Sequence, residues 1–345
     1  MKSSSPSLKL YTKKDIQTIT RIRNLETKIG EKVDTIINFP EDLYKSKAKY
    51  VLLGLPEDIG VRANYGRGGA QTAWKPALEN ILNIQSNHFF TGESLLVLGH
   101  IDFESLMQQS LHLHSKSEKD VKHLRKLVEQ IDEVVFEVIK EIIAKEKIPI
   151  VIGGGHNNSY PLIKAAAFNS IDRKINVLNC DPHTDFRSQE GRHSGNGFSY
   201  AFDEGFLNKY SVFGIHESYN TQEVLNRFHT NKKQLLYSTF EEMFVTQTVS
   251  FEDSLKSSID FCKTNPCGLE IDLDAITNVP TSAKTSSGLS PVQARQFVYQ
   301  AAKQLKPLYF HIAEGAPILA HIKADNKTGK LIAYLVADFI KSIEF

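Results

Sequence analysis

The chain has 345 residues, of which 41% are hydrophobic and 23% charged, and its formal net charge is +1. This is enough apolar material for one large α/β domain, or two smaller ones, with a substantial core. The near-neutral balance excludes the basic surplus of a nucleic-acid footprint, and no uncharged apolar run approaches membrane-spanning length.

The opening Met1-Lys2-Ser3-Ser4-Ser5-Pro6 leads into polar sequence and lacks the apolar core of a signal peptide. Residues 1–48 are mixed and polar, with a helix expected around 14–23. They read as an N-terminal extension or peripheral element ahead of a single domain over 49–345. Strands are expected at 50–55 and 94–99. The mixed-sign run 116–126 reads as a solvated helix face. Leu127, Ile131, Val134, Val135, Val138, Ile139 and Ile142 give 121–145 a helical period. A β-branched strand over 148–152 stops at three glycines. Further strands are expected at 175–180, 210–215, 268–273 and 308–313. Helices are expected near 161–168, 221–228, 251–262, 291–305 and 330–342. Strands alternating with helices imply crossover connections and a mostly parallel sheet covered on both faces. Ligand sites in such sheets lie beyond the carboxyl ends of the strands.

Three cysteines, Cys180, Cys262 and Cys267, are too few and too scattered for a disulfide framework and suit a reducing cytoplasm. Cys180 reads as core, and the isolated pair Cys262 and Cys267 lacks the second ligand pair of a zinc site.

Chemistry gathers at three strand ends: Gly153-Gly154-Gly155-His156, Asp181-Pro182-His183-Thr184-Asp185 and Asp272-Leu273-Asp274. If the extended geometry persists past Cys180, residues two apart converge, so Asp181, His183 and Asp185 would meet, as would Asp272 and Asp274. Four carboxylates would neutralise two divalent cations, and two neutral imidazoles complete the six ligands. Empty, the carboxylates would repel one another. An oxygen-rich, thiolate-free set favours manganese or a similar hard ion. Two such ions about 3.5–4 Å apart can hold a bridging hydroxide at neutral pH.

From residue 49 onward the chain resembles the ureohydrolase superfamily of arginases, agmatinases and formimidoylglutamases, whose members carry these three segments in this order. The resemblance implies a three-layer α/β/α fold and hydrolysis of an amidino or guanidino carbon–nitrogen bond. It implies one metal on His156, Asp181, Asp185 and Asp272 and a second on His183, Asp181, Asp272 and Asp274, with Asp181 and Asp272 bridging. It also makes Asp185 catalytic and implies two Mn2+, or other divalent ions, and a trimeric or hexameric homo-oligomer. In His311-Ile312-Ala313-Glu314-Gly315-Ala316-Pro317, Glu314 stands where the family pairs a glutamate with the planar cation of the substrate.

The third glycine before His156, the run Asp185-Phe186-Arg187 and the loop from Val61 to Ala70 resemble formimidoylglutamase, which releases formamide from N-formimidoyl-L-glutamate. Arginine binds a carboxylate through two parallel hydrogen bonds, so Arg62, Arg67 and Arg187 are candidates for reading the two carboxylates of that substrate. Ser194-Gly195-Asn196 echoes a substrate-contacting segment of arginases, which makes Ser194 and Asn196 candidates. The loop that holds a proton-shuttling histidine in arginases offers either His193 or, with no shuttle, Ser194. Pro182 replaces the usual alanine, and Asp274 is followed by Ala275-Ile276 without the Asp-Pro that arginases place shortly after. A urea-releasing arginase, agmatinase or other guanidino-acid hydrolase is the alternative. A catalytically silent binding subunit would have no chemical need for all six ligands.

Overall fold

The computed structural model describes residues 7–320 and 326–344; the opening Met1 to Pro6 lies outside them. Nine strands form one sheet among the described residues: β1 (Ser7–Leu10), β2 (Tyr50–Gly54), β3 (Leu95–Asp102), β4 (Ile148–Ile152), β5 (Ile175–Cys180), β6 (Leu207–Ile215), β7 (Leu235–Thr239), β8 (Cys267–Asp272) and β9 (Tyr309–Ala313). Their order is β1-β3-β2-β4-β9-β8-β5-β6-β7. All neighbours run parallel except β1, which lies antiparallel on β3.

The central strands are short apolar runs because both of their faces are covered. In β2, Tyr50 and Leu52 enter one core, while Val51 and Leu53 enter the other. Helices Trp74–Leu82, Phe251–Cys262, Pro291–Leu305 and Lys327–Glu344 cover the first face. Helices Glu118–Ala144, Ser159–Phe168 and Gln222–Thr230 cover the second, giving three layers. The long helix starts at Glu118 because the Ser117 hydroxyl accepts the Asp120 amide, which caps it. All three cysteines are free and buried. No helix among the described residues is long and apolar enough to cross a membrane.

The segment ahead of Lys49 adds the edge strand β1 and the helix Lys13–Ile19, and it buries Ile16, Ile29, Val33 and Leu43. Sequence patterning misses β1, β7 and the helix Trp74–Leu82. The strand β7 is only half-buried and polar in part, and Pro76 sits in the first turn of the helix.

Registry puts four strand ends level. Ile152 pairs with Ile312, Ala313 with Asp272, and Ile271 with Cys180. The segments that follow β4, β9, β8 and β5 therefore emerge side by side at the centre of the sheet.

Candidate metal centre and its pocket

The turn after β4 uses its glycines. Gly153 and Gly154 adopt φ of 89° and 70°, the left-handed region. A Cβ on Gly154 would lie 2.3 Å from Asn158 Nδ2 and 2.8 Å from Glu57 Oε1. Glu57, fully buried, accepts from the Gly155 amide (3.0 Å) and from the side-chain amides of Asn157 (3.2 Å) and Asn158 (2.8 Å). The next amide, His156 N, donates to Glu314 Oε1 at 3.0 Å. Two adjacent amides thus go to two different glutamates, and His156 is fixed between them.

His156 Nδ1 lies 2.9 Å from Asp185 Oδ2, 3.1 Å from Asp181 Oδ2 and 3.3 Å from Asp272 Oδ2. His183 Nδ1 lies 3.2 Å from Asp274 Oδ2 and 3.5 Å from Asp181 Oδ1. Asp181 thus turns one oxygen toward each group. Asp272 joins the first group through Oδ2, and its Oδ1 accepts the Asp274 amide at 2.8 Å. Both ring nitrogens of His156 and Asp274 Oδ1 are buried without an aligned hydrogen-bond partner, although oxygens surround the imidazole. A cation among the aspartates would satisfy His156 Nδ1, and one beside His183 would take the Asp274 carboxylate, so the donor set fits a metal in each group.

Convergence does not come from extended geometry past Cys180. The chain bends at Pro182 and His183, Asp185 takes a φ of 45°, and Asp274 lies in the 3-10 turn Leu273–Ala275. Alternation would put Asp181, His183 and Asp185 on one point; the bends send His183 to the second group and Asp185 to the first. Glu314 also sits at positive φ, 64°. Two non-glycine residues of the site therefore hold conformations that cost on the order of 1–3 kcal/mol each.

The electrostatics are those of crowded anions. Burial, together with the charge of Asp181, pushes Asp185 up to about 6, and burial pushes Asp274 up to about 6. Burial and neighbouring carboxylates also raise Asp272 and Glu314 well above the carboxylate range. Asp181 is the exception. Burial opposes its charge, but the hydrogen bonds of His156 and His183 outweigh that and hold it at about 2. The two imidazoles are pushed up in turn: burial works against their protonation and is overcome by their aspartate partners. In the metal-free chain, protons on the imidazoles and acids do the charge-balancing work of cations.

Above these groups lies a cavity of about 560 Å³ whose floor includes His183, Asp185, Asp272, Asp274 and Glu314. Arg187, Ser194, Asn64 and Tyr219 stand on its walls. Arg187 donates to Asn64 Oδ1 (2.9 Å) and Glu190 Oε1 (2.8 Å), and Asn64 donates to Ser194 Oγ (3.3 Å).

The other expected contacts stand elsewhere. The Arg62 guanidinium is bound to Ser110 and the Leu113 carbonyl and lies 3.5 Å from Asp58, so it secures a loop and does not face the cavity. Arg67 is exposed outside the lining. Asn196 is buried behind the wall, accepting from Arg192 Nη1 and its own loop amide at His193. His193 is buried there too. Its Nδ1 accepts the Gly195 amide, and burial with the charges of Arg187, Arg125 and Arg192 lowers it to about 2. A neutral, enclosed imidazole in that place does not reach the cavity.

Sequence reading missed Glu270, Glu57, Asn64 and Tyr219. Glu270 lies under the first group, 3.3 Å from His156 Nε2 and 2.6 Å from His311 Nδ1, and accepts from Tyr309 at 2.8 Å. Its signal was the spacing Glu270, Asp272, Asp274. The other three act from loops and had no such pattern.

The arginase family model matches residues 48–341. The chain belongs to the arginase family. Among its relatives is a formimidoylglutamase of Macrococcus caseolyticus, 28% identical over 61% of this chain and 66% of that one. A formimidoylglutamase of Fusobacterium nucleatum is 26% identical over 87% of this chain and 88% of its own. In three dimensions this arginase-family chain resembles a Trypanosoma cruzi formiminoglutamase solved with Mn2+. The TM-score is 0.68 at 19% identity, covering 92% of this chain and 98% of that one.

Proposed function

We propose that this chain is a metal-dependent hydrolase of a linear amidine, converting N-formimidoyl-L-glutamate and water into L-glutamate and formamide. The observation that carries the reading is the cavity floor. Two cation-holding groups share Asp181, Glu314 lies beside them, and Arg187 stands on the wall above. The formimidoylglutamases among the relatives support the substrate, and the Mn2+ of the Trypanosoma cruzi structure supports manganese.

His156, Asp181, Asp185 and Asp272 would hold one ion, and Asp181, His183 and Asp274 the other, with Asp272 a second bridge by family resemblance. Two such ions supply the Lewis acidity that ionises a water near neutral pH. The residues then divide the remaining work. Glu314, with one oxygen fixed by the His156 amide, offers the other to the cationic amidinium and holds its carbon over the floor. Arg187 binds a substrate carboxylate, with Ser194 beside it; Arg67 could meet only a group that protrudes from the mouth. The water oxygen bonds to the amidine carbon, and the bond from that carbon to the glutamate nitrogen breaks. Asp185 takes one proton from the water and passes it to the departing nitrogen, and the remaining hydroxyl proton follows as the carbon–oxygen double bond of formamide forms, so the amine leaves as an ammonium. His193, enclosed behind the wall, has no part in that transfer.

One observation favours a second reading. Glu223 lines the same cavity, and an acid there suits a cationic tail, as in a guanidino substrate that yields urea. A panel of formimidoylglutamate, arginine, agmatine and guanidinobutyrate with manganese-loaded enzyme separates the two. Formamide from the first substrate alone is expected; urea from any of the others, with formimidoylglutamate untouched, overturns the substrate assignment. The free cysteines suit a reducing compartment, and we place the enzyme in the cytoplasm. A trimer or hexamer follows from family resemblance and is tested by sedimentation.

A further inference from the structure

The two histidines of the candidate metal centre are held in different ways. His156 is enclosed: Phe198 meets its ring edge-on at 5.2 Å, and Glu270 lies behind it. The His183 side chain is 31% exposed at the cavity, and among the described residues its carboxylate contacts, Asp181 and Asp274, both lie on Nδ1. What surrounds His183 is the loop after β6. The His216 amide donates to Pro182 O at 2.9 Å, and Asn220 Nδ2 donates to the same carbonyl at 3.2 Å. Asn220 Oδ1 accepts the Thr184 amide at 2.9 Å. The residues on both sides of His183 are thus tied to one loop.

The ring is tied to it as well. Tyr219 stacks on His183 with centroids 5.2 Å apart and planes 19° apart. Tyr219 also stacks on His216 (4.9 Å, 12°), and His216 stacks on the buried Phe240 (4.7 Å, 16°). Four rings in file run from the core to the cavity. The Tyr219 hydroxyl makes no hydrogen bond among the described residues, so the face of the ring is what the stack uses.

We infer that the loop from His216 to Asn220 is the support that orients His183 for metal, with Tyr219 and Asn220 as positioning residues. The inference rests on the reading of His183 as a metal ligand. Groups that orient metal ligands from behind typically govern affinity by 10- to 100-fold. Tyr219 is 44% exposed, so its removal leaves the core intact.

The test is calorimetric titration of chelator-stripped protein with Mn2+, with melting of the metal-free form alongside. Wild type should bind two ions; if it binds none, the functional reading fails before this one is reached. Tyr219→Ala should weaken one of the two ions by roughly tenfold or more, leaving the other and the metal-free melting temperature unchanged. Asn220→Ala should weaken the same ion, and Tyr219→Phe, which keeps the stack, should bind like wild type. Two ions at wild-type affinity in Tyr219→Ala would overturn the inference. So would equal losses in Tyr219→Phe and Tyr219→Ala.

Discussion

The two cation-holding groups share a carboxylate and differ in almost everything else. The group around His156 is enclosed by strand ends and fixed by Glu57, Glu314 and Glu270. The group around His183 opens to the cavity and leans on a loop. One centre thus combines a half made by the core with a half made at the surface. In the first, metal affinity and fold stability are tied together. In the second, they are separable.

The harshest way to break that contrast is to remove what the halves share. Asp181→Asn should release at least one ion and lower turnover by roughly 10²–10³-fold or more, with the fold retained; metal analysis and steady-state rates check it. An enzyme that kept both ions and full turnover would show that the halves are not joined through Asp181. Next comes His156→Ala against His183→Ala. The first leaves three buried carboxylates without their imidazole. It should destabilise the metal-free protein by about 3–5 kcal/mol, the cost typical of breaking a buried pair. The second removes a partly exposed imidazole from Asp181 and Asp274 and should cost the metal-free protein less. Equal losses in denaturant titration would erase the distinction.

Metal itself sharpens it. Saturating Mn2+ at a thousand times its dissociation constant should add about 4 kcal/mol per ion and raise the melting temperature. In His183→Ala only the increment of one ion should remain. No shift with manganese, cobalt or zinc would count against both groups. The smallest effects concern the cavity wall. Arg187→Ala should raise KM for formimidoylglutamate by about ten- to a hundredfold, the worth of one charged hydrogen bond at roughly 1.5–3 kcal/mol. Arg62→Ala should lower stability and leave KM alone, because its guanidinium serves the loop at Ser110.

The same division explains what could be read from the chain. The strands β4, β5, β8 and β9 are apolar runs whose burial on both faces leaves a pattern, and the six ligand candidates end or follow β4, β5 and β8 in sequence. The strand β7 carries a half-exposed pattern too short to register, and β1 is four residues at an edge. At the site, residue types were legible but paths were not. Asp185 reaches His156 through a left-handed backbone, and Asp274 reaches His183 through a tight turn, neither of which its neighbours announce. The arginines were chosen by charge. Only the packing of Ser110 against Arg62, and of Asn64 against Arg187, tells which one faces the cavity. Tyr219 and Asn220 meet His183 across 36 or more residues of chain, a distance no local pattern spans.

The sheet order also sets a timetable. The strands β8 and β9 are the last made, yet they lie at the centre, between β4 and β5, which never touch. The two flanks, β1-β3-β2-β4 and β5-β6-β7, can each pair before β8 exists. His156 ends one flank and Asp181 ends the other, so the insertion of the final pair brings them together. Such long-range pairing is slow to form. A nascent chain therefore has no complete metal centre until β9 has left the ribosome and been threaded between the flanks.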